Sequence, residues 1–338
     1  MAKKKELTRG ERVIRFIEKY LFVPEGEHVG KPMKLLPFQK EFIRAVFDNP
    51  AGTRRAYLSM ARKNGKTSVI SALVICFLVG PEAKQNSRLI SGARSRDQAA
   101  QVFELAAKMV RFSPKLSKIV RIIPSGKRLV GLNLNTEYQA TSADAQTAHG
   151  LSPRVAILDE IGQVRGPKDD FIDAITTSQG AYDDPLLIAI STQAANDNDL
   201  FSIWLDDAAR SKDPHIVSHV YKAAEDCALD DKKAWAAANP AMGEFRNAKD
   251  LVEAANQAQR MPSAENTFRW LFLNQRIQAE SPFISKATWE ANAGDILPEA
   301  LEANPVYAGL DLSARQDLTA LVLVARDAEG LWHVRPYS

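Results

Sequence analysis

Ser59-Met-Ala-Arg-Lys-Asn-Gly-Lys-Thr67 is the stretch on which the reading of this chain turns. Before it stands Arg55-Ala-Tyr-Leu-Ser-Met60, an apolar run with the character of a strand, and after it a helix is predicted over 67–79. Strand, Gly-Lys-Thr turn and helix in that order form the context that a phosphate-binding loop requires. Gly65 lets the backbone come close to a phosphate. The N–H groups of Lys63, Asn64, Gly65, Lys66 and Thr67 open a helix whose dipole favours an anion. Lys66 is then the candidate contact for the β- and γ-phosphates of ATP, and the Thr67 hydroxyl the candidate ligand of Mg²⁺. The usual G-x-x-x-x-G-K-[ST] pattern has a first glycine, and Met60 occupies that position here. A plain surface turn rich in Arg62, Lys63 and Lys66 is the bland alternative, and it leaves the strongly apolar helix entry unexplained.

Working outward, Val155-Ala-Ile-Leu-Asp-Glu160 is an apolar strand that ends in two adjacent carboxylates. At the carboxyl edge of a sheet such a pair faces the crevice where nucleotides bind in open α/β folds. Asp159 is the candidate to hold Mg²⁺, and Glu160 to orient or deprotonate an attacking water. Ser191-Thr192-Gln193 follows the next apolar run, Leu186 to Ile190, and its polar groups are placed to sense the γ-phosphate and pass on its loss. Upstream, Leu36-Pro-Phe-Gln39 starts a helix predicted over 39–47, and the Gln39 amide can both donate to and accept from an adenine edge.

The rest of the chain organises around these points. Arg88–Ser91 reads as a second strand, Ser95-Arg-Asp-Gln98 as a helix-starting capping box, and 119–141 as a small antiparallel insert. Continuous apolar strands alternating with helices predict a doubly wound α/β domain, a P-loop NTPase parallel sheet of the ASCE type. After residue 222 the segments 230–238, 248–260 and 263–274 carry helical spacing with no evident strand, a helical lid subdomain. Residues 281–305 are proline-containing linker. Val306–Asp311, Leu318–Val324 and Leu331–Val334 are three strands, too few to close a core of their own. The expected boundaries are 1–222, 223–280, 281–305 and 306–338.

Composition narrows the class without naming it. With 44 basic and 41 acidic residues the net charge is +3, which neither demands nor excludes nucleic acid. Cys76 and Cys227 are the two cysteines and lie outside any metal-ligand spacing, as expected of a reducing compartment. The apolar stretch Ser68–Val79 is too short to span a bilayer and reads as buried core. The basic start MAKKKELTRGER runs into the helical pattern Val13, Phe16, Ile17, Tyr20 and is not a secretory signal. The expectation is a soluble intracellular protein. Arg94, Arg96, Lys108, Arg111, Lys115 and Lys118 give 94–118 a basic bias that reads first as a solvated helix face.

Taken in order, Pro37-Phe38-Gln39, Ala61-Arg-Lys-Asn-Gly-Lys-Thr67, Ile157-Leu-Asp-Glu160 and Ser191-Thr192 resemble the motifs of the large terminase subunit of tailed bacteriophages. Phe283-Ile-Ser, Thr288-Trp289, Gly309-Leu-Asp-Leu-Ser313 and Asp317–Leu321 extend the resemblance, the last two to the opening of an RNase H-like nuclease. The resemblance implies an ATPase joined to a nuclease, with ATP and Mg²⁺ in the first and Mg²⁺ or Mn²⁺ in the second. Its implied partners are double-stranded DNA, a portal protein, a small terminase subunit and further copies in a ring on the procapsid, in the host cytoplasm. It implies that Arg62 stabilises phosphoryl charge in cis and that Asp311 matches the first nuclease metal ligand. Where relatives carry an arginine that reaches a neighbouring subunit, this chain aligns His149, with Arg154 nearby; a neutral imidazole does not replace a permanent cation. After Asp311 the aspartates are Asp317 and Asp327, and a two-metal nuclease site needs several carboxylates, so residues 1–338 are not expected to cleave DNA. A helicase-like remodeller and a non-hydrolytic ATP switch are the competing readings. The first needs a second motor domain, and the second has no use for Glu160.

Overall fold

The computed structural model describes residues 6–93, 96–142, 152–277, 291–294, 298–312 and 319–337. The chain divides into two compact units, Met1–Pro282 and Phe283–Ser338.

The first unit is built on an eight-stranded sheet. In chain order its strands are β1 (Arg55–Ser59), β2 (Arg88–Ala93), β3 (Val120–Ile123), β4 (Arg128–Gly131), β5 (Thr136–Ser142), β6 (Val155–Asp159), β7 (Leu186–Ser191) and β8 (Ile216–Val220). Their spatial order is β3-β4-β5-β2-β6-β7-β1-β8. From β5 to β8 every neighbouring pair is parallel, while β3 and β4 join antiparallel at one rim. Residues 119–141 are therefore not a separate insert: β5 pairs with β2 in parallel, and the hairpin widens the main sheet. The adjacent interior strands β6 and β7 are buried at every position, which is why their sequences run apolar without alternation.

Both faces of the sheet are covered. Ala56, Leu58, Val155, Ile157, Ile188 and Ile190 join the core that includes α1 (Arg9–Tyr20), α2 (Pro37–Phe47), α3 (Lys66–Val79) and α4 (Arg96–Phe112). Tyr57, Ala156, Leu158, Leu187 and Ala189, pointing the other way, meet Ile172 and Ile175 of α5 (Asp170–Ser178) and Phe201 and Leu205 of α6 (Leu200–Arg210). The period-two pleat sorts one strand's residues between two cores. α3 is apolar all round and enclosed, which identifies it as the helix packed behind the loop that precedes it. α2 begins at Pro37, two residues earlier than its spacing predicts, because a proline in the first turn has no N–H to leave unpaired.

Three helices, α7 (Lys232–Ala238), α8 (Ala248–Arg260) and α9 (Pro262–Leu273), enclose a small core of Trp235, Leu251, Phe268 and Leu273 that also takes in Ala61. Asp231 and Asn247 cap the first two through their side chains. The second unit holds α10 (Pro298–Ala303) and an antiparallel sheet in the order β11-β10-β9, with β9 (Val306–Asp311), β10 (Ala320–Arg326) and β11 (Trp332–Tyr337). β9 is exposed at every position, and Ala300 and Ala325 are the buried hydrophobic residues among those described there.

Side chains left open by the sequence find ordinary partners. His215 bonds the Gly52 carbonyl at 2.8 Å and His219 sits against the Phe42 ring. Lys108 pairs with Glu25, and Lys115 lies over the Tyr20 ring, so part of the basic bias is spent internally; Arg94 and the side chain of Arg96 lie outside the described residues. Trp204 stacks on Tyr57, whereas Trp289, His149, Asp317 and the segments Phe283–Ser285 and Thr288–Trp289 fall outside the described residues. Among the described residues no helix is long and apolar enough to cross a membrane.

Candidate active site

The carboxyl ends of β1, β6 and β7 lie side by side, Ser59 opposite Ser191 and Asp159 opposite Ile190. The loops carrying the phosphate-loop, acidic and Ser-Thr-Gln motifs leave the sheet together at this edge. After Ser59 the chain turns back into α3 through Lys63 (φ 64°) and Gly65 (φ 76°), and this curvature replaces what a first glycine would give. Met60 is fully buried as a core residue.

Asn64 holds the loop closed. Its amide nitrogen donates to the carbonyls of Ala61 and Arg62, both at 3.1 Å, and to Asn239 Oδ1 at 2.9 Å, while its oxygen accepts from the Ala241 N–H. Two loop N–H groups also leave the loop, Ala61 to the Ala238 carbonyl and Arg62 to the Leu271 carbonyl. The loop is thus bonded to the helical layer through backbone and side chain alike. Lys66 Nζ, 6% exposed, donates to the carbonyls of Met60 and Ala61 at 2.8 and 3.0 Å. Burial brings its pKa down to about 8 against the pull of Glu160 and Asp159. Arg62 is exposed. Lys63 turns outward to Asp250 at 2.9 Å, and Asp250 also receives Arg246 at 2.8 Å.

Opposite Lys66, Asp159 is 5% exposed and its pKa is pushed up to about 7, first by desolvation and then by neighbouring Glu160. Lys66, the Glu160 N–H at 2.9 Å and the Thr67 hydroxyl oppose that rise. The Thr67 hydroxyl thus acts on the Asp159 carboxylate, and a hydroxyl beside a carboxylate is a hard-oxygen donor set that suits Mg²⁺. Glu160 has φ 55°, a left-handed conformation that a non-glycine residue adopts at a cost of about 1 kcal/mol or more. Its carboxylate accepts from Gln163 Nε2 at 3.3 Å and remains partly open.

The turn after Glu160 is tied to the third motif. Gly162 N–H donates to Ser191 Oγ at 2.9 Å, and a methyl group on Gly162 would stand 2.3 Å from the Thr192 carbonyl oxygen, so no larger residue fits. Ser191, Thr192 and Gln193 are all buried. Every polar group of Gln193 is answered from the helical layer. Its N–H donates to Asn274 Oδ1 at 2.7 Å, its side-chain amide to the Asn274 carbonyl, its carbonyl accepts from Trp270 Nε1 and its Oε1 from Arg276. Asn274 in turn donates to Ser59 Oγ at 3.1 Å and to the Tyr221 carbonyl at 2.8 Å. One buried amide therefore joins the last residue of the loop strand, the third motif and the helical layer.

Gln39 lies at the same edge, 4% exposed, but its Oε1 accepts from the Leu36 N–H at 2.9 Å and caps α2. Arg154 lies at the other end of β6, buried, with Asp184 at 2.7 Å and the Glu82 carbonyl at 2.8 Å, and so serves the fold internally. Asp311 ends the exposed β9, and Asp327 is held below the usual carboxylate range by His333.

Sequence reasoning missed Asn239, Gly162 and Asn274. Each is a single residue whose partner is remote in sequence, and only Asn274 had a local sign, an asparagine at the end of the helix predicted over 263–274, where left-handed caps occur.

Comparison with known proteins agrees with this geometry. The family "Terminase large subunit, ATPase domain" matches residues 37–207, and "Terminase large subunit, endonuclease domain" matches residues 210–338. The terminase large subunit of Enterobacteria phage HK97 is 60% identical over 331 residues, covering 98% of this chain. This chain spans 65% of that relative's length. The crystal structure of the HK97 large terminase, 59% identical, superposes with a TM-score of 0.78 over 98% of this chain and 68% of that one. The ATPase domain of the Thermus phage P74-26 large terminase, 18% identical with a TM-score of 0.52, shares the fold over 72% of this chain and 94% of its own.

Proposed function

The chain belongs to the terminase large-subunit family, and on that premise we propose that it is an ATP-hydrolysing motor that drives double-stranded viral DNA into a procapsid. The observation that carries the reading is the convergence of Lys66, Thr67, Asp159 and Glu160 at one sheet edge, with the Thr67 hydroxyl lowering the Asp159 pKa. Lys66 leaves the carbonyls of Met60 and Ala61 for the β- and γ-phosphates. Thr67 and Asp159 hold Mg²⁺, which when bound neutralises charge on the transferring group. Glu160 orients the attacking water and takes its proton, and exposed Arg62 stabilises the phosphoryl charge. Asn64 and Gly65 shape the loop, whereas Lys63 acts through Asp250 on the helical layer. Ser191 and Thr192 pass the state of the γ-phosphate on, since Ser191 receives the turn that follows Glu160 and Gln193 holds Asn274.

By the family's nature the partners are a portal protein, a small terminase subunit and further copies of the chain in a ring, in the host cytoplasm. The endonuclease region would use Asp311 with Mg²⁺ or Mn²⁺. Cutting by residues 1–338 alone is not expected, because a two-metal site needs several carboxylates gathered out of water and Asp311 ends a strand that is exposed at every position. ATP turnover measured with and without duplex DNA and portal-bearing procapsids tests the motor reading. Turnover stimulated by DNA or procapsid supports it; absence of turnover under every condition contradicts it. Metal-dependent nicking by residues 1–338, abolished in Asp311→Ala, would overturn the expectation about cutting.

A further inference from the structure

We propose that Phe245 is the stacking surface for the base of the bound nucleotide, beside the Gln39 amide that the sequence already directs to an adenine edge. The inference rests on the ATP reading of the loop and adds to it the part of the ligand that the loop does not explain.

Observations from three separate segments converge. A methyl group built on Gly65 would stand 2.9 Å from Phe245 Cζ, 3.2 Å from Phe245 Cε2 and 3.7 Å from Gln39 Nε2. An aromatic edge and an amide nitrogen thus border the last glycine of the phosphate loop, where the sugar and base must leave the phosphates. Phe245 is nevertheless 47% exposed: one edge rests on the loop and the remainder is open. Gln39 supplies the second, independent sign. Its side chain is buried, the cap bond to the Leu36 N–H fixes which end is oxygen, and Nε2 has no hydrogen-bond partner among the described residues. That nitrogen is thus available to a ligand acceptor beside the phosphate loop.

The segment that carries Phe245 is held at both ends. Met242 N–H bonds the Asn239 carbonyl, Glu244 and Arg246 N–H bond the Ala241 carbonyl, and Ala241 is tied to Asn64. On the other side Arg246 is buried against Phe272 and paired with Asp250, which also receives Lys63 of the loop. The ring therefore stands on a turn anchored to the loop itself. Base stacking on an aromatic ring tolerates any base, so the ring supplies affinity and discrimination falls to polar groups beside it such as Gln39.

Binding is measured with two probes, ATP and inorganic tripolyphosphate, each with Mg²⁺, on the chain and its Phe245→Ala and Phe245→Trp variants. The half-exposed ring makes unchanged melting the expected control. Phe245→Ala should weaken ATP about tenfold and leave tripolyphosphate unchanged. Phe245→Trp should restore ATP binding, with indole fluorescence altered by ATP and not by tripolyphosphate. Unchanged ATP affinity in Phe245→Ala overturns the proposal. Tighter binding of both probes in Phe245→Ala also overturns it, since the ring would then be a plug over the phosphate site. If tripolyphosphate fails to bind the wild-type chain, the loop reading falls, and this inference with it.

Discussion

Asp159 and Asp311 occupy the same place in the sequence pattern: each ends an apolar strand with a carboxylate. In the fold they part company. Asp159 closes β6, buried at all positions between two helical faces, and burial with Glu160 beside it lifts its pKa to about 7. Asp311 closes β9, exposed at all positions, with Leu310 62% and Leu312 71% exposed nearby. A carboxylate acquires a tuned environment only where covering layers remove water and bring Lys66 and Thr67 to it. The strand motif is shared, and the difference lies in what packs around it.

The largest effect should come from removing the cation opposite Asp159. Lys66→Ala is expected to lower turnover by about a thousandfold, comparable to losing a principal charge-stabilising group, and a coupled phosphate-release assay reads it. Wild-type turnover in that variant would erase the contrast, since the two strand ends would then be equally inert. Next, Asn274→Ala withdraws the amide that answers Gln193 and Ser59, and is expected to cost about 2–4 kcal/mol of unfolding free energy by denaturant titration. Asn274→Gly keeps the φ of 53° without strain and should lose most of that stability too. Recovery in the glycine variant would assign the loss to backbone conformation instead of the polar network.

A third effect concerns pH. The native Asp159 value of about 7 lies above its ordinary 3.8. The folded chain therefore keeps a proton that the unfolded chain releases, and this group's contribution to stability is present at low pH and is lost as pH rises from about 4 to about 7. Asp159→Asn should flatten that decline, by at most a few kcal/mol across the window. An identical pH profile in the variant would mean that Asp159 is solvated like an ordinary surface carboxylate. The smallest effect is expected in the other region: Leu310→Ser, on the exposed strand, should change stability by no more than about 0.5 kcal/mol. A loss of several kcal/mol would show that β9 is covered in solution.

The legible part of the molecule was the part written in contiguous residues. Apolar runs at 155–158 and 186–190 announced strands buried on both faces, and the strand-loop-helix context of Gly65-Lys66-Thr67 marked the phosphate loop despite Met60. The hairpin at 120–131 was legible as antiparallel, but not its attachment, because the pairing of β5 with β2 joins segments far apart in the chain. The same distance hid Asn64–Asn239 and Gln193–Asn274, whose members carry no local pattern. Gln39 was singled out for an amide that can donate to and accept from an adenine edge, while its use as a helix cap appeared only with the position of the Leu36 N–H.

The central claim is that the acidic pair beside Lys66 hydrolyses ATP with Glu160 as its base. The most direct measurement compares ATP binding and single-turnover hydrolysis in the wild-type chain and Glu160→Gln, with duplex DNA present. Retained binding with hydrolysis slowed by a factor on the order of 10²–10⁴ is the predicted result. Equal hydrolysis in both proteins would contradict the assignment and move the base elsewhere.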